Sequence, residues 1–302
     1  MEMDDNNEQP QETAFQEALM EEASLLAAQF QEHDLSMVMT QQEHGNALAV
    51  KQRVESCSEL DNVNDFQYAH YALVDEANTD IAVEKIRNLQ EFRKRYHLND
   101  TVEQGMQYLQ AFMTQQPGFL LHVDCCASTY EAIRVLDVGK LNPAAALAVG
   151  TGGDLDYNWR QLVCGLYYMH TACSPYLASV RQGVFEIADL DGFSSQQMNM
   201  EFEYRRHGEL VGCYPIKFKT IMAYNTGYFA NVSWNLMKHL MNDNVRNSIQ
   251  LGCQIMDGAA GGNRRLSDFY LQPSLEEAQR TVLDRARILL TIRYHNEQTF
   301  QL

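Results

Sequence analysis

No stretch of this sequence approaches the roughly 18 consecutive apolar residues that a membrane-spanning helix needs. A transmembrane chain is therefore not expected. Its first ten residues, MEMDDNNEQP, lack both the basic start and the apolar run of a secretory signal peptide. Cysteine is present without a framework. The seven cysteines are odd in number, with Cys125 and Cys126 adjacent and Cys57, Cys164, Cys173, Cys213 and Cys253 scattered. Such spacing fits reduced thiols, and hence a cytoplasmic setting, better than disulfides. Basic residues are scarce, at 23 Lys and Arg against 40 Asp and Glu, for a net charge of −17. Residues 1–80 hold 18 of the acidic groups against Lys51 and Arg53 only, a balance of −16; the rest of the chain, with 22 acidic and 21 basic groups, is at −1. Phosphate binding needs a basic face, so nucleic acid is not an expected partner. The acidic quarter reads as a solvated helical region that favours solubility.

Catalytic signatures are missing as well. "VGTGGD" (149–154) is glycine-rich but has neither G-x-G-x-x-G nor the Lys-Ser/Thr of a phosphate loop, and reads as a turn. "GFSSQ" (192–196) does not supply a nucleophile elbow. "HVDCC" (122–126) offers metal-ligand residue types. Strand alternation, however, sends His122 and Asp124 to one face and Cys125 to the other, so no metal site is expected. Asp189 and Asp191 in "ADLDG" could form an acid–base pair at a strand end, or simply a polar turn into a helix cap. No set of nucleophile, base and orienting group converges. Neither an enzyme nor a bound cofactor is the leading expectation.

What is there is an ordered alternation of helices and strands. Residues 1–12 read as a disordered acidic tail, and 13–115 as a helical region. Phe15, Leu19, Ala23, Leu26 and Phe30 recur at helical spacing, and 36–78 suits short helices and loops. Ile86, Leu89, Phe92 and Tyr96 form a stripe, with Lys94 and Arg95 in the last turn. In the next helix Thr101 and Gln104 have capping-box spacing; Val102, Met106, Leu109 and Phe112 or Met113 make its apolar face, and Pro117-Gly118 ends it. Four short β-rich runs follow, at 118–124, 133–139, 184–190 and 218–225. Helical stretches separate them, "YNWRQLVCGLYYMHTA" (157–172) and "SSQQMNMEFEYRRHGEL" (194–210), and a further helix is expected around Asp243 to Leu251. Strands joined by helical crossovers predict an α/β fold with a mixed, mostly parallel sheet. A last helix occupies 274–302, capped by Ser274 and Glu277 and striped by Leu275, Ala278, Val282, Leu289 and Ile292.

One stretch has too much grease for an ordinary surface helix. "NVSWNLMKHLM" (231–241) carries Val232, Leu236 and Leu240 on one stripe and Trp234, Met237 and Met241 on another. Two apolar stripes imply cover on two sides. Either the helix is buried in the domain, or it is a lid with a ligand inside and a membrane outside.

The order "VRQGVFEIADLDGFS", helix, "YPIKFKTIMAYNTGYF", "NLMKHLMNDNVRNSIQLG" resembles the CRAL-TRIO lipid-binding domain of phosphatidylinositol- and tocopherol-transfer proteins. Gly183, Asp189, Gly192, Tyr214, Pro215, Asn225 and Phe229 follow that family's pattern in order and at similar spacing. The resemblance implies a domain over 116–273 whose sheet floors an apolar cavity closed by a gate helix. It implies Phe185, Ile187, Ile221 and Ala223 as floor, and Phe229, Trp234, Met237 and Met241 as gate. Lys217, Lys219, Thr220, Lys238 and Arg246 are the implied headgroup or phosphoinositide contacts. Gly227 stands where the family often has proline and is a hinge candidate; Thr220 falls where phosphatidylinositol binders place lysine, and "LQPSLEEAQ" replaces a closing Gly-Gly segment. The expected partners are a hydrophobic lipid (a phospholipid, or a tocopherol- or retinoid-like molecule) and, transiently, a membrane surface. The expected activity is lipid binding and intermembrane transfer without catalysis. The alternatives are an α/β interaction module with its cavity filled by side chains, and a small-molecule enzyme using Asp189 or Asp191.

Overall fold

A computed structural model describes residues 39–60, 62–75, 78–126, 129–150, 156–227, 231–232, 243–253 and 274–302. The expected acidic tail, the helix from Phe15 to Phe30 and the greasy run from Ser233 to Met241 lie outside the described residues.

The N-terminal part is helical, and its helices begin where capping chemistry allows. Helix α1 (Gln41–Glu55) opens on a capping box of Thr40 and Glu43, and α2 (Asp65–Val74) on one of Asn64 and Gln67. Asn78 caps α3 (Thr79–Tyr96), which ends at His97 with φ 53°. Its predicted stripe of Ile86, Leu89, Phe92 and Tyr96 is buried. Thr101 caps α4 (Val102–Gln115) by accepting from the Gln104 amide. The expected reciprocal half of that box is absent: the Gln104 side chain instead accepts from the Asn99 amide and the Tyr168 hydroxyl. Those partners offer a tertiary tie that the cap could not.

The sheet has five strands in sequential order: β1 (Leu120–Cys125), β2 (Ala132–Asp137), β3 (Val184–Asp189), β4 (Phe218–Tyr224) and β5 (Ile249–Cys253). The β1–β2 pair is antiparallel and the other three pairs are parallel. The mixed, mostly parallel α/β sheet read from the sequence is thus present. Two local expectations need correction. The helix foreseen from Asp243 to Leu251 stops at Ser248, and Ile249–Cys253 is strand β5. Pairing with β4 satisfies backbone groups that would otherwise edge the sheet unpaired. The helix foreseen over 194–210 is shorter too. Gln197 is buried and gives its amide to the Gly139 and Leu141 carbonyls. Asn199 then caps a helix of only Met200–Arg206, followed by a π turn over His207–Val211.

Two further short helices, α5 (Pro143–Leu147) and α7 (Leu177–Gln182), flank the long α6 (Tyr157–Ala172). Met200–Arg206 is α8, Asp243–Ser248 α9, and Leu275–Thr299 the closing α10, capped by Ser274 through the Glu277 amide. One cluster of buried side chains runs from Ala47 through the sheet to Tyr294, so the flanking helices share the sheet's core. Leu275, expected on the buried stripe of α10, is 39% exposed, whereas Ala278, Val282, Leu289 and Ile292 are buried.

Helix α6 is buried on every side from Leu162 to Met169, and α4 packs directly on it. A Cβ built on Gly165 would lie 2.3 Å from Phe112 Cβ and 3.1 Å from the Tyr108 carbonyl oxygen. Alanine in a helix interior normally gains about 1 kcal/mol over glycine. Here the two helices must move apart, at a cost of about 3 kcal/mol. Gly165→Ala should therefore lose about 2 kcal/mol net, read as a lower denaturant midpoint with an unchanged slope.

Candidate functional site

The motif positions acquire physical jobs in the fold. Gly183 has φ 80° and lies so close to β4 that a Cβ would meet the Lys219 amide at 3.0 Å. Glycine is the residue that tolerates both conditions. Asp189, fully buried at the end of β3, accepts from the Asn225 side-chain amide at 2.9 Å and the Asp191 backbone amide at 3.0 Å. Asn225 holds φ 51° just past β4. The aspartate and asparagine thus bolt together the ends of two neighbouring parallel strands. Tyr214 and Pro215 are buried in the loop before β4. The Pro215 carbonyl is 3.0 Å from His70 Nε2, and the Cys213 carbonyl accepts from the Tyr71 hydroxyl at 2.8 Å. Gly192 takes φ 75° in an open turn.

The sheet has two unlike faces. Register aligns Val123, Arg134, Glu186 and Ile221 across four strands, and Leu136, Ala188 and Ala223 across three. Side chains at paired positions share a face, and this one meets the helices. Val123, Cys125, Ala132, Leu136 and Val184 join the main core there. Arg134 and Glu186 form a buried ion pair on it; Arg134 Nη1 is 2.8 Å from His170 Nδ1, and its guanidinium carbon is 5.2 Å from the Phe218 ring centroid.

The opposite face aligns Ile133, Phe185 and Thr220, then Val135, Ile187 and Met222. Val135 is buried there with Leu121, against Ile187 and Tyr224. Ile133, Phe185, Ile187, Met222 and Tyr224 are only half-buried. A band of apolar side chains therefore lines the face turned away from the main core.

Of the four floor candidates, Phe185 and Ile187 fall on this half-buried face. Ile221 and Ala223 fall on the other, with Glu186 and Ala188. The register of β3 on β4 shifts between Val184 and Phe185, and that step reverses the alternation between the two strands. Thr220 shares the half-buried face, opposite Phe185. Lys219 is exposed and ion-paired with Glu131, the Lys217 carbonyl accepts from the Val184 amide, and Arg246 is half-buried in α9. The Gly227 carbonyl accepts from the Asn231 amide at 3.2 Å. Phe229, Trp234, Met237, Lys238 and Met241 lie outside the described residues.

Sequence reasoning passed over Met222, Ile133 and Tyr224, whose alternation was legible but whose register was not. It also passed over the buried charges: Arg134 and Glu186 sit between apolar neighbours in their strands and read alone as solvated positions. The "HVDCC" residues do not gather. Asp124 pairs with Arg285 at 2.7 Å, and the Cys125 thiol, pushed up to about 12 by burial, lies 3.3 Å from the Ser179 hydroxyl. Among the described residues, no group of three or more His, Cys, Asp or Glu side chains could hold a metal ion.

Residues 129–252 match the family model of the CRAL/TRIO domain. That segment is a CRAL/TRIO domain. It takes in β2 through most of β5, and with them both the Asp189–Asn225 bolt and the half-buried apolar face. No curated protein sequence matches the chain. Among solved structures it is similar to the crystal structure of Sfh5, at 13% identity over 71% of this chain and 78% of that one, with a TM-score of 0.42. In this chain β1 and α1 to α4 precede the CRAL/TRIO segment, and α10 follows it.

Proposed function

We propose that this protein binds a hydrophobic lipid against the half-buried face of its sheet and carries it between membranes, without a catalytic step. The observation that carries the reading is the band of Ile133, Phe185, Ile187, Met222 and Tyr224 on the face away from the main core. The CRAL/TRIO match and the ordered motif positions support it. Asp189, the catalytic candidate, is fully buried and holds Asn225 and the Asp191 amide, which suits a structural anchor.

Burying a lipid chain gains about 0.8 kcal/mol per methylene relative to water. Measured against a bilayer the gain nearly vanishes, since the chain starts in hydrocarbon. A carrier therefore needs a pocket about as favourable as the membrane, with a few polar groups to select the headgroup. It must also open at the membrane, or the lipid would have to cross water. The run holding Phe229, Trp234, Met237 and Met241 is the proposed gate, on its two-striped sequence pattern. Thr220, on the same face as Phe185, is the proposed polar contact nearest the apolar band. The proposed setting is cytoplasmic, with transient membrane contact.

Organic extraction of the protein purified from cells, followed by mass spectrometry, should recover a stoichiometric lipid. Ile187→Trp with Met222→Trp fills the proposed floor. It should lower bound lipid about tenfold, equivalent to about 1.4 kcal/mol, while far-ultraviolet dichroism stays unchanged. A lipid-free extract, together with a melting temperature insensitive to added phospholipid, tocopherol and retinoid, would overturn the reading in favour of an interaction module.

A further inference from the structure

A buried histidine, His70, and a half-buried one, His170, each face an arginine. His70, on α2, has Nε2 3.0 Å from the Pro215 carbonyl and Nδ1 3.1 Å from Arg293 Nη1. A carbonyl only accepts and a guanidinium only donates. The His70 proton therefore sits on Nε2, and Nδ1 is bare. His170, on α6, has Nδ1 2.8 Å from Arg134 Nη1 and must accept there too. Between the two imidazoles stands the ring of Tyr214, edge-on to His70 at 5.7 Å and stacked on His170 at 5.9 Å. The Tyr214–Pro215 step, three residues before β4, is thus clasped by α2 on one side and α6 on the other.

The surroundings of both rings are cationic. His70 is faced by Arg293 of α10 and, farther off, Lys85 of α3; His170 is faced by Arg134 of β2 and Arg206 of α8. Glu297 holds Arg293 through Nε at 2.7 Å and Glu186 holds Arg134 through Nε and Nη2, while Nη1 of each arginine faces the imidazole. The Ser174 carbonyl takes a further Arg293 donor at 2.8 Å, and the rings of Phe66, Tyr71 and Tyr214 close the space around His70. Burial first, and then the facing arginines, hold both imidazoles well below the ordinary histidine value.

We propose that this arrangement is an acid-sensitive clasp: a proton on Nδ1 of His70 or His170 sets a cation against an arginine, releases Tyr214–Pro215 and loosens the entry to β4, so that lipid leaves the sheet face faster in an acidic setting. The last clause rests on the proposed lipid-binding function; the clasp itself does not. An anionic membrane surface, whose negative potential attracts protons, is one such setting. The direction follows from linkage. The closed clasp holds both imidazoles neutral, while the open one lets them titrate near 6.5. Closure is therefore fully favoured above about pH 6.5 and weakens as pH falls, by about tenfold per pH unit for each imidazole that opening exposes.

Hydrogen exchange of the full chain at pH 7.5, 6.5 and 5.5, corrected for the intrinsic rate, reads the clasp without reference to lipid. Opening over 212–224 should rise about tenfold or more between pH 6.5 and 5.5, ahead of α4. His70→Gln with His170→Asn keeps an acceptor for each arginine but cannot protonate, and should abolish that rise. Equal protection of 212–224 at all three pH values would overturn the clasp, as would an undiminished rise in the double variant. Should the double variant not fold, His70→Gln alone should reduce the steepness by about tenfold per unit, and an unchanged slope there counts against the proposal. A protein that carries no lipid yet shows the acid-dependent opening would defeat the transfer reading and leave the clasp standing.

Discussion

Glu186→Gln should destabilise this protein by about 3–5 kcal/mol. The carboxylate is paired with Arg134 on the helix-packed face, where the two side chains are 11% and 5% exposed. The guanidinium's other neighbours are the Phe218 ring and the bare Nδ1 of His170. Neither carries negative charge. Removing the carboxylate therefore leaves a buried cation with hydrogen bonds but no counter-charge. That is far costlier than the pair itself is stabilising, because the pair had already lost most of its hydration. Replacing both partners separates the two effects. Arg134→Met with Glu186→Leu should lie within about 1 kcal/mol of the wild type, or above it. Chemical denaturation of the three proteins checks this; a single-variant loss under 1 kcal/mol would mean that water reaches the pair.

The same face shows why some of the fold was readable in the sequence and some was not. Local signals were sufficient for the helices. The 3.6-residue stripe of Ile86, Leu89, Phe92 and Tyr96 needs only its own residues to specify a buried side. The four strand runs were similarly plain. What a strand cannot state is its register, and the shift between Val184 and Phe185 separated Ile221 and Ala223 from Phe185 and Ile187. Strand β5 was hidden for a different reason. Ile249 to Cys253 has no strong pattern of its own, and only the open edge of β4 makes a strand of it. The motif residues were legible as positions but not as jobs. That Asp189 reaches Asn225, 36 residues on, is a fact of three-dimensional pairing. His70 and Arg293 lie even farther apart in sequence, at a separation of 223, and no periodicity links them.

Trp159→Ala should have an effect of similar size by a different route. Trp159, in the first turn of α6, has no exposed surface, meeting Phe202 edge-on at 5.8 Å while the Arg205 guanidinium lies 4.4 Å from its ring centroid. Its indole N–H donates to Glu209 at 3.0 Å, and Glu209 also accepts from the Tyr96 hydroxyl. Truncation opens a tryptophan-sized void, for about 3–5 kcal/mol, and removes a donor from a largely buried carboxylate, for about 1 kcal/mol more. Trp159→Phe keeps most of the apolar volume and isolates the polar part, so it should cost only about 1–2 kcal/mol. The loss has a definite location. Glu209 is the centre of the π turn His207–Val211, whose end leads into Tyr214 and β4. In the alanine variant, hydrogen exchange should therefore accelerate over 207–214 more than in α3 or α10. Uniform acceleration across the chain would mean that Trp159 supports the core as a whole and does not specifically anchor the turn that leads to the clasp.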